Sequence, residues 1–200
     1  MPNQTWDDWN EQGGPKYPHE KVIQFCFRKY APEQRAKTRV LDLGCGSGVH
    51  VVFLASEGFQ VTGTDKSPVG IENTKRKLLS LNLSADLRVE DAAVVEFPPG
   101  SFDLVISVGV YDSAGPAVSA ASVRRVRQVL KPGGRGFFMF ASERDFQTGS
   151  DNPYGLYGYT RSEVEALFAV DFAEVCLDRY ITTYEGGRIE QNDWLVTVQR

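Results

Sequence analysis

The chain has few of the residues that bind metals or form disulfides. Its 200 residues include three cysteines and two histidines. Cys26, Cys45 and Cys176 are too widely spaced for a disulfide framework or a zinc motif, and His19 and His50 stand in no ligand-spaced cluster. We therefore predict no metal site, and unpaired cysteines favour a reducing, cytoplasmic location.

Long apolar runs and an excess of positive charge are also missing. No stretch approaches the about eighteen consecutive apolar residues of a membrane span, and the polar N-terminus predicts no signal peptide. The formal net charge is -4 and the pI is near 5.3, which argues against a nucleic-acid-binding surface. We expect neither a membrane nor a nucleic-acid partner.

Strand-like and helix-like segments alternate along most of the chain. This alternation predicts a doubly wound α/β fold, with a mostly parallel sheet covered by helices on both faces. The end of the chain differs, because the capping-box pair Thr160 and Glu163 predicts a helix, and two strand-like runs about a Gly-Gly turn predict an antiparallel hairpin. The predicted strands are 38–43, 59–65, 85–91, 102–110, 135–141, 172–184 and 192–199; the predicted helices before residue 135 are 18–31, 47–57, 67–81 and 116–131.

A glycine-rich turn follows the first predicted strand, within the stretch VLDLGCGSGVH. Its glycines are Gly44, Gly46 and Gly48, but Val49 stands where the dinucleotide fingerprint needs its third glycine. The Gly-Lys-Ser/Thr sequence of a phosphate loop is also absent. The turn indicates a ligand close to the backbone, and its pattern disfavours a pyrophosphate.

Two acidic residues end the next two predicted strands. Asp65 ends the second strand, where an acid typically accepts hydrogen bonds from both hydroxyls of a ribose. Asp91 ends the third strand, where an adenine edge would lie in the same geometry, although it could also simply cap the helix that follows. Together with the glycine turn, these acids indicate an adenosine-containing ligand.

Five motifs occur in order over about residues 38–142: VLDLGCGSG, VTGTDKS, RVEDA, FDLVISVGV and VLKPGGRGFF. In this order and spacing they resemble the motifs of the Rossmann-like (class I) S-adenosylmethionine (SAM) dependent methyltransferases, of the bacterial small-molecule type. The resemblance implies a seven-stranded sheet whose last strand is antiparallel. It also implies SAM as cofactor, S-adenosylhomocysteine as product, and in-line methyl transfer to an O, N or S atom of a small-molecule acceptor.

The same resemblance implies the cofactor contacts. Asp42 would lie near the amino group of SAM, Asp65 would hold the ribose, and Asp91 with the backbone of Ala92 would read the adenine. The full set implied is Asp42, Gly44, Cys45, Gly46, Gly48, Asp65, Lys66, Asp91, Ala92 and Ser107.

Catalytic and acceptor residues are expected in three segments around this core. The N-terminal segment, rich in tryptophan, is typical of a lid, although Trp6 and Trp9 could instead pack an outer helix against the sheet. The stretch VYDSAG follows the fourth strand, and 143–160 is an unusually long loop, which is either functional or a structural crossover. As catalytic candidates we take His19, Tyr111 and Asp112, with His19 as the base for a hydroxyl acceptor. As acceptor-binding candidates we take Tyr17, Tyr111, Tyr154 and Tyr157, since tyrosines offer flat apolar faces with a hydroxyl group.

We therefore expect one domain: an N-terminal lid and helix (1–35), a SAM-binding core (38–142), a substrate loop (143–160) and a C-terminal helix and hairpin (161–200). The alternative to a methyltransferase is a catalytically inert SAM-binding regulatory or partner protein. A dehydrogenase is disfavoured by the missing third glycine and the absent substrate domain. The oligomeric state is left open.

Overall fold

A seven-stranded sheet forms the centre of the protein. The structure is a computed structural model and describes residues 3–149, 155–169 and 172–200, with side chains from residue 6 onward. The strands run in the order β3-β2-β1-β4-β5-β7-β6. Their bounds are β1 Arg39–Leu43, β2 Gln60–Asp65, β3 Asp86–Val89, β4 Phe102–Val108, β5 Leu130–Ala141, β6 Glu174–Tyr184 and β7 Ile189–Gln199.

The pairing of these strands confirms the predicted fold class. Strands β1 to β5 pair in parallel, whereas β7 pairs antiparallel with both β5 and β6. The strand order reverses between β1 and β4, which is the place where open α/β sheets bind ligands outside the carboxyl ends of the strands.

Helices cover both faces of the sheet because both faces are apolar. On β5, Phe138 and Phe140 pack in one buried cluster, whereas Phe137 and Met139 pack in the other, as the two-residue period of a strand requires. The helices are α1 Asn3–Glu11, α2 Glu20–Lys29, α3 Pro32–Arg35, α4 Val49–Ser56, α5 Pro68–Ser80, α6 Tyr111–Ala114, α7 Pro116–Val129 and α8 Arg161–Phe168.

Element boundaries differ from prediction mainly around β5. The strand begins at Leu130, which pairs with Phe102, so the KPGG turn lies inside β5 and α7 ends at Val129. The predicted capping box is present, because the Thr160 side chain accepts a hydrogen bond from the backbone N–H of Glu163, and the Glu163 carboxylate accepts one from that of Thr160. Across the described ranges, no helix combines the length and apolar composition needed to cross a bilayer.

Candidate active site

A cavity of about 620 Å³ opens at the carboxyl ends of the parallel strands. Its volume lies within the range of small-molecule sites. One end is formed by the glycine turn after β1 and by the residues that follow β2 and β3; we call it the cofactor end. The other end is formed by α6, the segment after β5 and strand β7; we call it the acceptor end.

The glycine turn has a backbone that only glycine adopts without strain. Gly44, Gly46 and Gly48 have φ of 75°, 51° and 78°, in the left-handed region. A Cβ on Gly44 would meet the Val110 side chain at 2.2 Å, and one on Gly48 would meet the Thr74 side chain at 2.4 Å. The packing of the turn itself therefore requires two of the three glycines. The sequence analysis had explained these glycines by the ligand alone.

Asp65 joins the glycine turn to the next helix. Its Oδ2 accepts a hydrogen bond from the Gly46 N–H at 2.8 Å, and its Oδ1 accepts one from the Ser67 N–H at 2.8 Å. Burial raises the pKa of this carboxyl even though both backbone bonds lower it. Asp65 lines the cavity, and each of its oxygens can accept one more hydrogen bond.

Asp42 and Ser107 lie behind the cavity wall. Asp42 is fully buried, and its Oδ2 has no hydrogen-bond partner among the described residues. Burial, reinforced by the neighbouring charge of Asp65, raises the pKa of the Asp42 carboxyl to about 8. The Ser107 hydroxyl donates to the Leu43 carbonyl at 3.0 Å. Neither side chain lines the cavity, so any influence on a ligand is indirect or through the backbone.

The remaining cofactor candidates line the cavity: Gly44, Cys45, Gly46, Gly48, Asp65, Lys66, Asp91 and Ala92. The Asp91 Oδ1 accepts a hydrogen bond from the Ala93 N–H at 2.8 Å, which is a turn contact. The described residues between β3 and β4 form no helix, so the alternative of a helix cap is wrong. Sequence reasoning missed Glu90, which lines the cavity beside Asp91 and whose Oε2 is buried without a partner among the described residues.

The N-terminal helix α1 covers the cofactor end. The Asn10 Oδ1 accepts a hydrogen bond from the Ser47 hydroxyl at 2.8 Å, and the Asn10 carbonyl accepts one from Asn73 at 2.6 Å. The Lys77 ammonium donates to the carbonyls of Gly13 and Ser47, both at 2.9 Å. Trp6, Trp9 and Asn10 thereby become part of the cavity wall.

At the acceptor end, polar groups stand beside apolar ones. The polar side chains are Asp112, Ser113, Gln147, Gln191 and Asp193, and the apolar ones are Val110, Val118, Met139, Phe140 and Leu156. Burial raises the pKa of both carboxyls to about 6, with the charge of Asp193 contributing at Asp112 and that of Asp145 at Asp193. Of these polar side chains, only Asp112 was a candidate from the sequence.

Tyr111 is a core residue, which corrects both roles predicted for it. Its side chain is 1% exposed and its ring stacks on Phe138 with centroids 5.5 Å apart. Its hydroxyl lies 3.2 Å from that of Ser122, and burial raises its pKa well above the ordinary range. The aromatic ring belongs to the face of α6 that packs on the sheet, whereas Ser113 on the same short helix lines the cavity.

The other tyrosine candidates do not form an acceptor pocket either. Tyr17 is 73% exposed and does not line the cavity. Tyr157 points outward and its hydroxyl donates to Glu163, so the wall is formed instead by its neighbour Leu156. Tyr154 lies outside the described residues. The long loop does contribute to the cavity, but through Gln147 and Leu156.

His19 lines the cavity, but its hydrogen bonds disfavour the predicted role as a base. Its Nδ1 accepts from the Lys21 N–H at 3.1 Å and so caps α2. The neutral ring therefore carries its proton on Nε2 and has no free lone pair there. The backbone N–H of His19 donates a hydrogen bond to His50 Nε2 at 3.2 Å. Burial lowers the pKa of both rings, that of His50 to about 4.

Comparison with known proteins agrees with this fold. Residues 40–134 match a family model described as a methyltransferase domain. The chain is 40% identical over 100 residues to 2-methyl-6-phytyl-1,4-hydroquinone methyltransferase of a Synechocystis strain, covering 48% of this chain and 30% of that one. It is 35% identical over 133 residues to ubiquinone biosynthesis O-methyltransferase of Xanthomonas euvesicatoria, covering 64% and 54%.

A solved structure shares the fold over most of its length. A protein from Methanosarcina mazei, titled as a SAM-dependent methyltransferase, superposes with a TM-score of 0.69 at 22% identity, covering 82% of this chain and 92% of that one. Residues 40–134 are thus similar to a methyltransferase domain, and the fold is shared with a solved structure, in agreement with the resemblance carried by the sequence motifs. The chain spans less than two thirds of the length of the curated relatives it matches.

Proposed function

We propose that the protein is an enzyme that transfers the methyl group of SAM to a small-molecule acceptor, leaving S-adenosylhomocysteine. The observation that carries this proposal is one continuous cavity that joins a SAM-type cofactor end to an acceptor end of different chemistry. A SAM-binding protein without catalytic activity has no need for the second end, so the cavity favours the enzyme.

The residues of the cofactor end fit SAM. Asp65 offers two fixed carboxylate oxygens, which suit the paired hydroxyls of a ribose. Gly109, with φ of 70°, has open space where a Cβ would stand and lines the cavity after β4. The Asp42 carboxyl, whose Oδ2 has no partner among the described residues, interacts with Asp65, and a cation in the cavity would favour the charged form of both carboxyls.

The chemistry of the reaction is supplied by SAM itself, whose methyl group is bound to a positively charged sulfur. The protein must orient the acceptor in line with that bond and exclude water. Orientation of two bound reactants can lower the barrier by roughly 7–11 kcal/mol. Here the apolar side chains of Met139, Phe140 and Leu156 would hold the acceptor body, and α1 would exclude solvent from the cofactor end.

Helix α1 acts in this proposal as a lid that orders over the bound cofactor. Its attachment through Asn10 to Ser47 and Asn73 supports this role, and Gly13 and Gly14, both with positive φ, supply a hinge behind it. Hydrogen exchange over residues 3–14 should slow when S-adenosylhomocysteine binds. Identical exchange in its presence and absence would contradict the lid.

The proposed function is tested first by binding and then by turnover. Calorimetry should show binding of S-adenosylhomocysteine and none of NADH or ATP. Incubation with methyl-labelled SAM and a panel of small hydroxyl, amine and thiol compounds should give a labelled product. If the protein binds S-adenosylhomocysteine but transfers no methyl group to any compound of the panel or of a small-metabolite extract, the inert SAM-binding protein is favoured.

Location and partners follow from weaker features. Cys26, Cys45 and Cys176 are all unpaired, and with them we propose a cytoplasmic enzyme. We propose small-molecule rather than nucleic-acid acceptors because the net charge is negative. Within the described ranges, no group of three or more His, Cys, Asp or Glu residues is placed to hold a metal ion.

A further inference from the structure

The acceptor end carries a wall of four polar side chains that come from three distant parts of the chain. Asp112 belongs to α6, Gln147 to the one-turn helix Phe146–Thr148, and Gln191 and Asp193 to β7. All four line the cavity. We call these residues the polar wall.

The polar wall is held rigidly by backbone contacts. Ala141, the last residue of β5, pairs directly with Asp193, and its N–H donates to the Asp112 Oδ2 at 2.9 Å. The two carboxyls are therefore placed by the same strand end. Behind them, Asp145 accepts hydrogen bonds from the N–H groups of Gln147 at 2.8 Å and Asn192 at 2.6 Å, which fixes the segment after β5 against β7.

The two carboxyls of the wall are not equivalent. Asp112 accepts backbone N–H bonds on both oxygens, from Ser113 at 2.8 Å and from Ala141. Asp193 accepts one bond from a described residue, from the Gln191 side-chain amide to its Oδ2 at 2.9 Å. The Asp112 carboxylate thus has a structural role, whereas the other oxygen of Asp193 is available to a ligand.

The charge of the wall selects the kind of group it can bind. Its side chains are two acids and two amides, with no basic residue among them. Among the charged groups near Asp193, Asp145 raises its pKa and Arg179 lowers it, and Asp112 lies close enough for the charge of Asp193 to raise the pKa of Asp112. The Arg179 guanidinium stacks on Trp194 at 4.0 Å and donates to Ser142 at 2.7 Å. A carboxylate or phosphate at the wall would meet two like charges, whereas a hydroxyl would find acceptors.

We propose that the acceptor is a hydroxyl-bearing molecule without an anionic group and with an apolar or aromatic body, and that Asp193 accepts the proton of the hydroxyl that is methylated. This inference rests on the proposed function. In the step, the hydroxyl oxygen bonds to the methyl carbon while the carbon–sulfur bond breaks and its electron pair stays on sulfur. The hydroxyl proton moves to the Asp193 carboxylate, oriented by Gln191, and later returns to solvent.

Asp193→Asn tests the proton transfer, because asparagine keeps the shape and the contact with Gln191 but cannot accept the proton. With catechol as the probe, we expect kcat to fall about 10²–10⁴-fold, with KM changed little. Wild-type kcat should decline as the pH falls through about 6, the pKa of Asp193, and the residual activity of Asp193→Asn should lack this decline. The matched control is Asp178→Asn, which removes an exposed carboxylate on β6 outside the cavity and should leave kcat unchanged.

Other outcomes would overturn the inference, and they can be told apart from a failure of the proposed function. If wild type binds S-adenosylhomocysteine and methylates benzoate, benzylamine or thiophenol in preference to catechol, the hydroxyl acceptor is wrong. The same holds if ligand-observed NMR shows no catechol binding to the S-adenosylhomocysteine complex. An Asp193→Asn variant with wild-type kcat and pH profile removes Asp193 as the base. Loss of S-adenosylhomocysteine binding by wild type would instead refute the proposed function itself.

Discussion

The two ends of the cavity differ in how far apart their residues lie along the chain. The cofactor end below α1 is assembled from 44–48, 65–66 and 90–92, each directly after a parallel strand. The acceptor end draws on α6, the segment after β5, and β7, so its residues span 110–193. Local motifs therefore describe the first end well, whereas the second depends on how distant elements meet.

The largest expected effect is the loss of S-adenosylhomocysteine affinity in Gly46→Val, a change that should impair binding at the cofactor end without unfolding the protein. Gly46 has φ of 51° and its Cβ would stand 3.4 Å from the Asn10 Oδ1, so Gly46→Val strains the turn and displaces α1. Affinity for S-adenosylhomocysteine should fall more than about 100-fold, from the combined backbone strain and lost contacts, as measured by calorimetry. Circular dichroism should show a folded protein. Retained affinity would mean that the turn does not touch the cofactor.

Asp65→Ala should weaken S-adenosylhomocysteine binding by about 1.5–3 kcal/mol, since it removes a charged acceptor from the two ribose hydroxyls. It also leaves the Gly46 N–H without its acceptor. Asp91→Ala is the matched variant at the next strand end. Asp91 is exposed, so its loss should cost less. Equal losses in calorimetry would contradict the central role of Asp65, and unchanged affinity in Asp65→Ala would remove the assignment of the cofactor end.

Adjacent residues of the long loop sharpen the comparison at the acceptor end. Leu156 lines the cavity, whereas the Tyr157 hydroxyl contacts Glu163 outside it. Leu156→Ala should lower kcat/KM for the acceptor by about 4- to 15-fold, as the loss of one or two CH₂ contacts at roughly 0.8 kcal/mol each implies, while Tyr157→Phe should change it little. Steady-state kinetics at saturating SAM measures both. The reverse order would restore the tyrosine to the acceptor site.

The smallest effect concerns stability. Burial raises the pKa of Asp193 to about 6, so the folded protein binds this proton more tightly than the unfolded chain. The free energy of unfolding therefore decreases as the pH rises from about 4 to about 6. Above that range, the full destabilisation by the buried Asp193 charge is present. Asp193→Asn should raise Tm by a few degrees at pH 8 and by less at pH 5. If scanning calorimetry gives Asp193→Asn a lower Tm than wild type at pH 8, the charged Asp193 does not destabilise the fold.

Sequence alone predicted the sheet and most of the residues around the glycine turn that line the cavity, because both depend on local patterns. The alternation of strands and helices predicted the doubly wound sheet, and the carboxyl ends of consecutive parallel strands meet at one edge. Asp65, Lys66, Asp91 and Ala92 therefore reach a common cavity once those strands pair. Periodicity identifies such positions without knowledge of distant contacts.

Only the tertiary structure decided which residues form the acceptor end. Tyr111 and Ser113 share one short helix, and packing against Phe138 turned the tyrosine into the core. Asp193 reaches the cavity because Ala141 pairs with it, and this antiparallel register between β5 and β7 is set by contacts across more than fifty residues. A shift of one residue in that register would point Asp193 to the opposite face. Side-chain direction at the acceptor end is thus a property of the packed sheet, which no local pattern in the sequence specifies.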